Sequence, residues 1–205
     1  MKQLIVKSIL MHKYYWFVYF LMAAIFVFMV KDVLFIITFV STVITMNEFY
    51  YDEKANGDKL WNSLPFTRKE LVGSRYVSLL LNTIFATIFV FFMELVRWGT
   101  LQVSFKKEVV GSFLLVMLTA SIFFPLLFGL KQRKIVFTFF VLYLLVISGG
   151  GYAAYYGYWH LEGAGIIPDV IKDWQIFTAL FVMIGLLFLG SIRLSSELYS
   201  RRDFT

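Results

Sequence analysis

The sequence predicts an all-α integral membrane protein: one domain, residues 1–205, of six transmembrane helices with both termini cytoplasmic. Three observations carry this. Of the 205 residues, 60% are hydrophobic and the mean hydropathy is +0.78. Several apolar runs exceed what a buried helix of a soluble core needs. The cations gather at the ends of those runs, which is where membrane orientation signals sit. The net charge of +6 therefore reads as topology rather than as a nucleic-acid footprint, and no nucleic-acid partner is expected. Cysteine is absent, which excludes disulfides and thiolate metal sites.

Residues 1–13, MKQLIVKSILMHK, place Leu4, Ile5, Ile9 and Met11 to one side and Lys2 and Lys7 off it. This predicts an amphipathic helix lying on the inner membrane surface, against the plainer alternative of a cytosolic extension of the first span. The lysines followed by an apolar run resemble a signal peptide. No small-residue cleavage site follows, so an uncleaved span is expected.

The spans are placed at 14–30, 33–48, 76–96, 109–130, 135–152 and 174–192. The first two reach roughly 25 Å each, enough to cross with help from flanking aromatic residues. Lys31-Asp32 turns the chain between them, and Lys131 to Lys134 (KQRK) turns it into span five. Segment 153–173, AAYYGYWHLEGAGIIPDVIKD, is too interrupted by Gly and Pro to cross. With this layout fourteen of the nineteen Lys and Arg fall on the face that holds the termini, and that face is assigned to the cytoplasm. Tyr14, Tyr15, Trp16, Tyr50, Tyr51, Tyr76 and Tyr199 would ring the inner surface. Trp98, Tyr152, Tyr155, Tyr156, Tyr158, Trp159 and Trp174 would ring the outer one.

The one long polar run, Glu48 to Tyr76, lies between spans two and three in the cytoplasmic loop 49–75. Asn56-Gly57 terminates a helix that extends span two to about Ala55. Asp58 caps a short transverse helix through Lys59, Leu60, Trp61 and Asn62, stopped before Pro65. Thr67 and Glu70 form a T-x-x-E capping box with Phe66 and Leu71 as its hydrophobic staple, so span three starts at Arg68 and runs unbroken into the bilayer. Trp61 and Leu64, apolar and rimmed by charge, mark either a partner surface or a fold-back onto the membrane.

Asp52-Glu53-Lys54, Leu64-Pro65, Thr67-Arg68-Lys69-Glu70, Val72 and Arg75-Tyr76 resemble the DEK…sLP-x-[ST]-R-[KE]-x-[IL]-V-x-x-[KR]-Y signature of ABC type-2 transporter permeases. They are similar to the small bacterial subfamily that includes permeases of the phenol-soluble modulin peptide exporters. The resemblance implies a plasma-membrane exporter subunit working as a dimer, with a second copy or a paralogue. The loop helix would be the coupling helix that docks on a separate ABC ATPase, and ATP and Mg would be bound by that partner. The implied ATPase contacts are Asp52, Glu53, Lys54, Asp58, Lys59, Trp61, Leu64, Pro65 and Arg68. Segment 153–173 would match the family's outer re-entrant helices. A chain with 24 Phe and few intramembrane charges suits an amphipathic or lipophilic cargo, a membrane-active peptide or a lipid. The rival reading is a stand-alone immunity or sensor protein that binds a toxic peptide at 153–173.

No G-x-x-x-x-G-K-[ST] occurs, so this chain cannot cradle nucleotide phosphates itself. Ile147-Ser148-Gly149-Gly150-Gly151 follows a long apolar run and reads as small membrane-embedded residues that allow close helix approach or a bend. His12 and His160 fall on opposite faces, no H-E-x-x-H exists, and no serine sits in G-x-S-x-G. An intramembrane enzyme is therefore not expected, nor a bound metal. Glu94 with Arg97 reads as an i,i+3 pair snorkelling outward, against a substrate or proton site. Glu48 reads as an interfacial hinge rather than a translocation residue, and Pro125 as a kink in span four.

Overall fold

The computed structural model describes residues 15–29, 32–54, 67–99, 105–129 and 173–201. They form five α-helices: α1 (Trp16–Met29), α2 (Val33–Lys54), α3 (Arg68–Trp98), α4 (Phe105–Gly129) and α5 (Asp173–Ser200). The amphipathic helix at 1–13, the transverse helix at 58–64, span five with Gly149, Gly150 and Gly151, and the outer segment 153–173 up to residue 172 lie outside the described residues, while Asp173 opens α5.

Four helices hold segments long and apolar enough to cross a membrane: Val33–Asp52, Arg68–Trp98, Glu108–Gly129 and Thr178–Ser200. The first expected span is a shorter apolar helix. The helical extension of span two is described as far as Lys54, and Ala55 lies outside the described residues. Span three begins at Arg68 as its cap dictates. The last helix is longer than the apolar run suggested, continuing past Ile192 to Ser200. The reason is local. Residues 193–200 contain no Gly or Pro to break the helix, and Arg193, Leu194, Glu197 and Leu198 are strong helix formers whether or not lipid surrounds them.

The capping box on α3 is complete. Glu70 donates its backbone N–H to the Thr67 hydroxyl at 3.2 Å, and Thr67 N–H donates to the Glu70 carboxylate at 3.0 Å. At the far end Gly99 adopts φ 68°, a left-handed conformation costly for a residue with a Cβ, and its N–H closes on the Leu95 carbonyl at 2.9 Å. Thirty-one residues between these caps span about 46 Å. That exceeds a hydrocarbon core of ~30 Å, so both ends of α3 stand in the polar zones.

The helices pack with two apolar cores at opposite ends. At the end holding the α1–α2 turn, Tyr19, Ala23 and Val27 of α1 meet Val33, Ile36, Ile37 and Ile44 of α2, with Val90 of α3 and Phe105 of α4. At the other end Val72, Tyr76 and Leu79 of α3 meet Phe124 and Phe128 of α4 and Phe188 and Tyr199 of α5. This second end carries the two stems of the 49–75 loop, and we refer to it as the loop end. α2 is the centre of the bundle, with 61% of its apolar window buried, whereas α5 buries only 22%. A Cβ at Gly111 would sit 2.8 Å from Leu34 Cδ1, so this glycine lets α4 pass close to α2.

A polar seam runs along α2 between the two cores. Thr38, Thr42 and Thr45 donate to the carbonyls of Leu34, Thr38 and Ser41 at 2.7–2.9 Å, and Ser41 donates to Ile37. Each hydroxyl is satisfied within its own helix, which lets polar side chains lie in the bundle without needing water. Pro125, which was expected to kink α4, is buried inside an α4 assigned as one continuous helix. The Ser121 carbonyl it would otherwise bond is left without that N–H.

Replacing Thr67 with Ala removes the side-chain half of the α3 cap. We expect destabilisation of about 1 kcal/mol, read as a lowered melting temperature in detergent, and little change for Thr67→Ser.

Candidate functional site at the loop end of the bundle

Glu48 stands on α2 two turns before its end and is 1% exposed. Its carboxylate receives donors from three positions of α3. Arg75 Nη1 lies 3.1 Å from Oε2, and Asn82 Nδ2 lies 3.1 Å from Oε1. Ser78 Oγ lies 2.8 and 2.9 Å from the two oxygens and donates to one of them. Positions 75, 78 and 82 follow the i, i+3, i+7 spacing of one helical stripe, which is why a single carboxylate reaches all three. Asn82 also reaches Thr45 Oγ1 at 3.3 Å, one turn above Glu48 on α2.

Arg75 binds a second acid. Its other guanidinium nitrogen pairs with Asp52, one turn below Glu48. The guanidinium carbon lies 5.3 Å from the centre of the Phe49 ring. Phe49 in turn packs edge-on against Phe124 and Phe128 of α4, at 5.3 and 5.6 Å. One arginine thus bridges two carboxylates on successive turns of α2, roofed by an aromatic that belongs to the core. Charge-assisted bonds in so enclosed a site are much stronger than surface pairs, and breaking one side leaves the other buried and unpaired.

The next residue holds a different helix. Tyr76 is 1% exposed, and its hydroxyl lies 2.6 Å from Ser191 Oγ and 2.8 Å from Ser195 Oγ, both on α5. Its ring packs edge-on against Phe124 at 4.7 Å and Phe188 at 5.1 Å. Adjacent residues on a helix point about 100° apart, so Arg75 fastens α3 to α2 while Tyr76 fastens it to α5. Arg68, at the start of α3, donates to the Ser200 carbonyl at the end of α5. Asn47 extends the network to α1, donating to the Tyr19 hydroxyl at 3.0 Å.

The residues expected at a partner interface divide. Asp52 is 15% exposed in its side chain and is committed to Arg75; Arg68 lies at the rim, bonded to α5. Glu53 and Lys54 close α2, and only their backbone is described. Asp58, Lys59, Trp61, Leu64 and Pro65 lie outside the described residues. Glu48 is joined to α3 by three described donors, Arg75, Ser78 and Asn82, so a cargo cation would have to displace them.

One expectation is corrected. Glu94 does not snorkel outward with Arg97: it is 3% exposed. Arg97 instead donates to the Val27 carbonyl on α1 and lies 4.9 Å from the ring centre of Trp98. The inward stripe of α3 that carries Ala86 and Val90 reaches Glu94 as well, and i,i+3 spacing alone cannot say which way a pair points. Ser78, Asn82, Ser191 and Ser195 were missed. Their signal lay in polar residues repeating at helical spacing within runs read only for hydropathy.

Among the described residues no group of three or more His, Asp or Glu is placed to hold a metal. What the site does is join helices. Membrane-length apolar helices locked together by buried polar contacts define a multi-pass membrane protein. The sequence model of the ABC-2 family transporter proteins matches residues 3–200, and the chain belongs to that family. It is accordingly a multi-pass permease-type membrane protein, placed in the plasma membrane in bacteria. No curated protein and no solved structure matches it.

Arg75→Met leaves Glu48 buried without its cation. We expect a loss of about 3–5 kcal/mol by unfolding in detergent, and recovery of much of it in the double variant Glu48→Gln/Arg75→Met. A simple sum of the two single losses would contradict the clamp.

Proposed function

We propose that this chain is the membrane-spanning subunit of an ABC exporter and is driven by a separate ATPase subunit that docks on the 58–64 helix. The observation that carries the mechanism is the Glu48–Arg75–Asp52 clamp. It lies where α2 and α3 enter the loop, and it makes their loop ends one unit. A push delivered to the loop then moves both helices together, rather than bending one against the other. Tyr76 passes the same displacement to α5 through Ser191 and Ser195.

Two such permeases, identical or paralogous, would enclose a cavity, and the tilt of their α2–α3 pairs would switch its access between the two leaflets. Family membership over nearly the whole chain supports the transporter reading. The absence of a phosphate-binding loop supports a partner for ATP and Mg. Cargo of amphipathic or lipophilic character fits the apolar surfaces that the helices expose, among them Phe17, Phe28, Phe92, Phe181 and Leu186. Membrane-active peptides of the kind handled by phenol-soluble modulin exporters are the cargo class we favour.

The test is co-purification of an ATPase with the detergent-solubilised chain, comparing wild type with Trp61→Ala/Leu64→Ala. We expect the ATPase with wild type and its loss in the variant. A chain that inserts normally and retains no ATPase in either form would overturn the coupling reading and favour a stand-alone peptide-binding protein. Arg75→Met should separate docking from work: ATPase retained, peptide export reduced at least ~10-fold, as a loss of more than about 1.4 kcal/mol in coupling implies.

A further inference from the structure

At the loop end, between the start of α3 and the last turns of α5, lies an open groove of about 740 Å³. Its lining combines Lys69 and Arg193 with Ile192, Ser196 and Ser200, and with Arg68 at the rim. Lys69 and Arg193 are both exposed, and neither makes an ion pair or hydrogen bond with any described residue. The acid in the groove, Glu197, is already bonded to Arg201 one turn on, at 2.5 Å. Arg68 donates to the Ser200 carbonyl at the rim of the groove. Lys69 and Arg193 thus give the groove two cations that no acid among the described residues neutralises.

An apolar track adjoins it. Leu189 and Leu186 stand one and two turns before Arg193 on the same stripe of α5, 61% and 67% exposed. Ile192 continues the apolar surface into the groove. Cations at one end of a membrane helix and exposed leucines leading away along it match a ligand with an anionic head and a hydrocarbon tail. We propose that this groove binds an anionic phospholipid, with its phosphate held by Lys69 and Arg193, the Ser196 and Ser200 hydroxyls within the same lining, and one acyl chain along Leu189 and Leu186. Basic pockets between membrane helices at the polar boundary take such headgroups. A free phosphate would leave the leucine track unused, and a zwitterionic lipid brings its own cation to a pocket already positive. The site is independent of the transport reading and stands whether or not an ATPase docks nearby.

The test is titration of the purified full chain in a neutral detergent with short-chain phosphatidylglycerol, phosphatidylcholine or inorganic phosphate at physiological salt, read as apparent Kd from the ligand-induced shift in thermal unfolding. We expect saturable stabilisation by phosphatidylglycerol and none by phosphatidylcholine or phosphate. Lys69→Gln and Arg193→Gln should each weaken it about fivefold and together ~25-fold, while the conservative pair Lys69→Arg/Arg193→Lys keeps it. Lys106→Gln/Lys107→Gln, at the opposite end of the bundle, should leave it unchanged. If the double Gln variant does not fold, the two single variants carry the same comparison. An unchanged Kd in the Gln variants, equal stabilisation by phosphatidylcholine, or stabilisation by phosphate alone would each overturn the proposal.

Discussion

A carboxylate enclosed among membrane helices has no water to turn to, and this constraint organises the bundle. Glu48 is tolerated because α3 presents Arg75, Ser78 and Asn82 on one stripe. The requirement runs both ways. Sliding α3 by one residue would rotate that stripe away, leaving an acid and a guanidinium buried apart, which in a low dielectric costs several kcal/mol. Apolar packing is forgiving of small slips, since one leucine replaces another. The clamp is not, and so it fixes the register of α2 against α3 where hydrophobic contacts alone would leave neighbouring registers close in energy.

The two cores divide the labour. The core away from the loop is mostly aliphatic where it is fully buried and joins α1, α2 and α3 through residues such as Val27, Ile36 and Val90, with Tyr19 of α1 and Phe105 of α4 beside them. The core at the loop end is aromatic, with Tyr76, Phe124, Phe128, Phe188 and Tyr199 meeting largely edge to face. Edge-to-face contacts have preferred geometry, so this end is better specified in orientation. Greater definition at the end where two helices enter the loop is what a lever needs, because compliance there would absorb the stroke.

Much of this was legible in the residues. The Thr67–Glu70 box announced where α3 begins, because capping depends on side chains three positions apart and on nothing distant. Continuation of α2 past Glu48, expected from the Asn56-Gly57 terminator, is described as far as Lys54. Arg75 and Tyr76 were visible as part of a signature, but their task was not. A signature says that residue types recur together; it does not say that neighbours on a helix face different partners. Glu94 and Glu48 were both read from their nearness to span ends. Their burial depends on which stripe of α2 or α3 faces the bundle, a tertiary fact that hydropathy windows average away. Ser191 and Ser195 were hidden similarly, since a lone serine in an apolar run carries no sign of the tyrosine opposite.

The separation of the clamp residues along the chain has a consequence for biosynthesis. Glu48 precedes Arg75 by 27 residues. When α2 first meets the membrane, its acid has no counter-ion, and an unpaired charge resists insertion, by about 2.5–3.5 kcal/mol at a span's centre and by less toward the end where Glu48 stands. Asp52 and the loop near it favour waiting at the water boundary. Only once α3 has been synthesised can Arg75 neutralise the acid and the pair settle to full depth. The two helices then partition as a single hairpin rather than one after the other, and the polar loop between them is held on the side where synthesis left it.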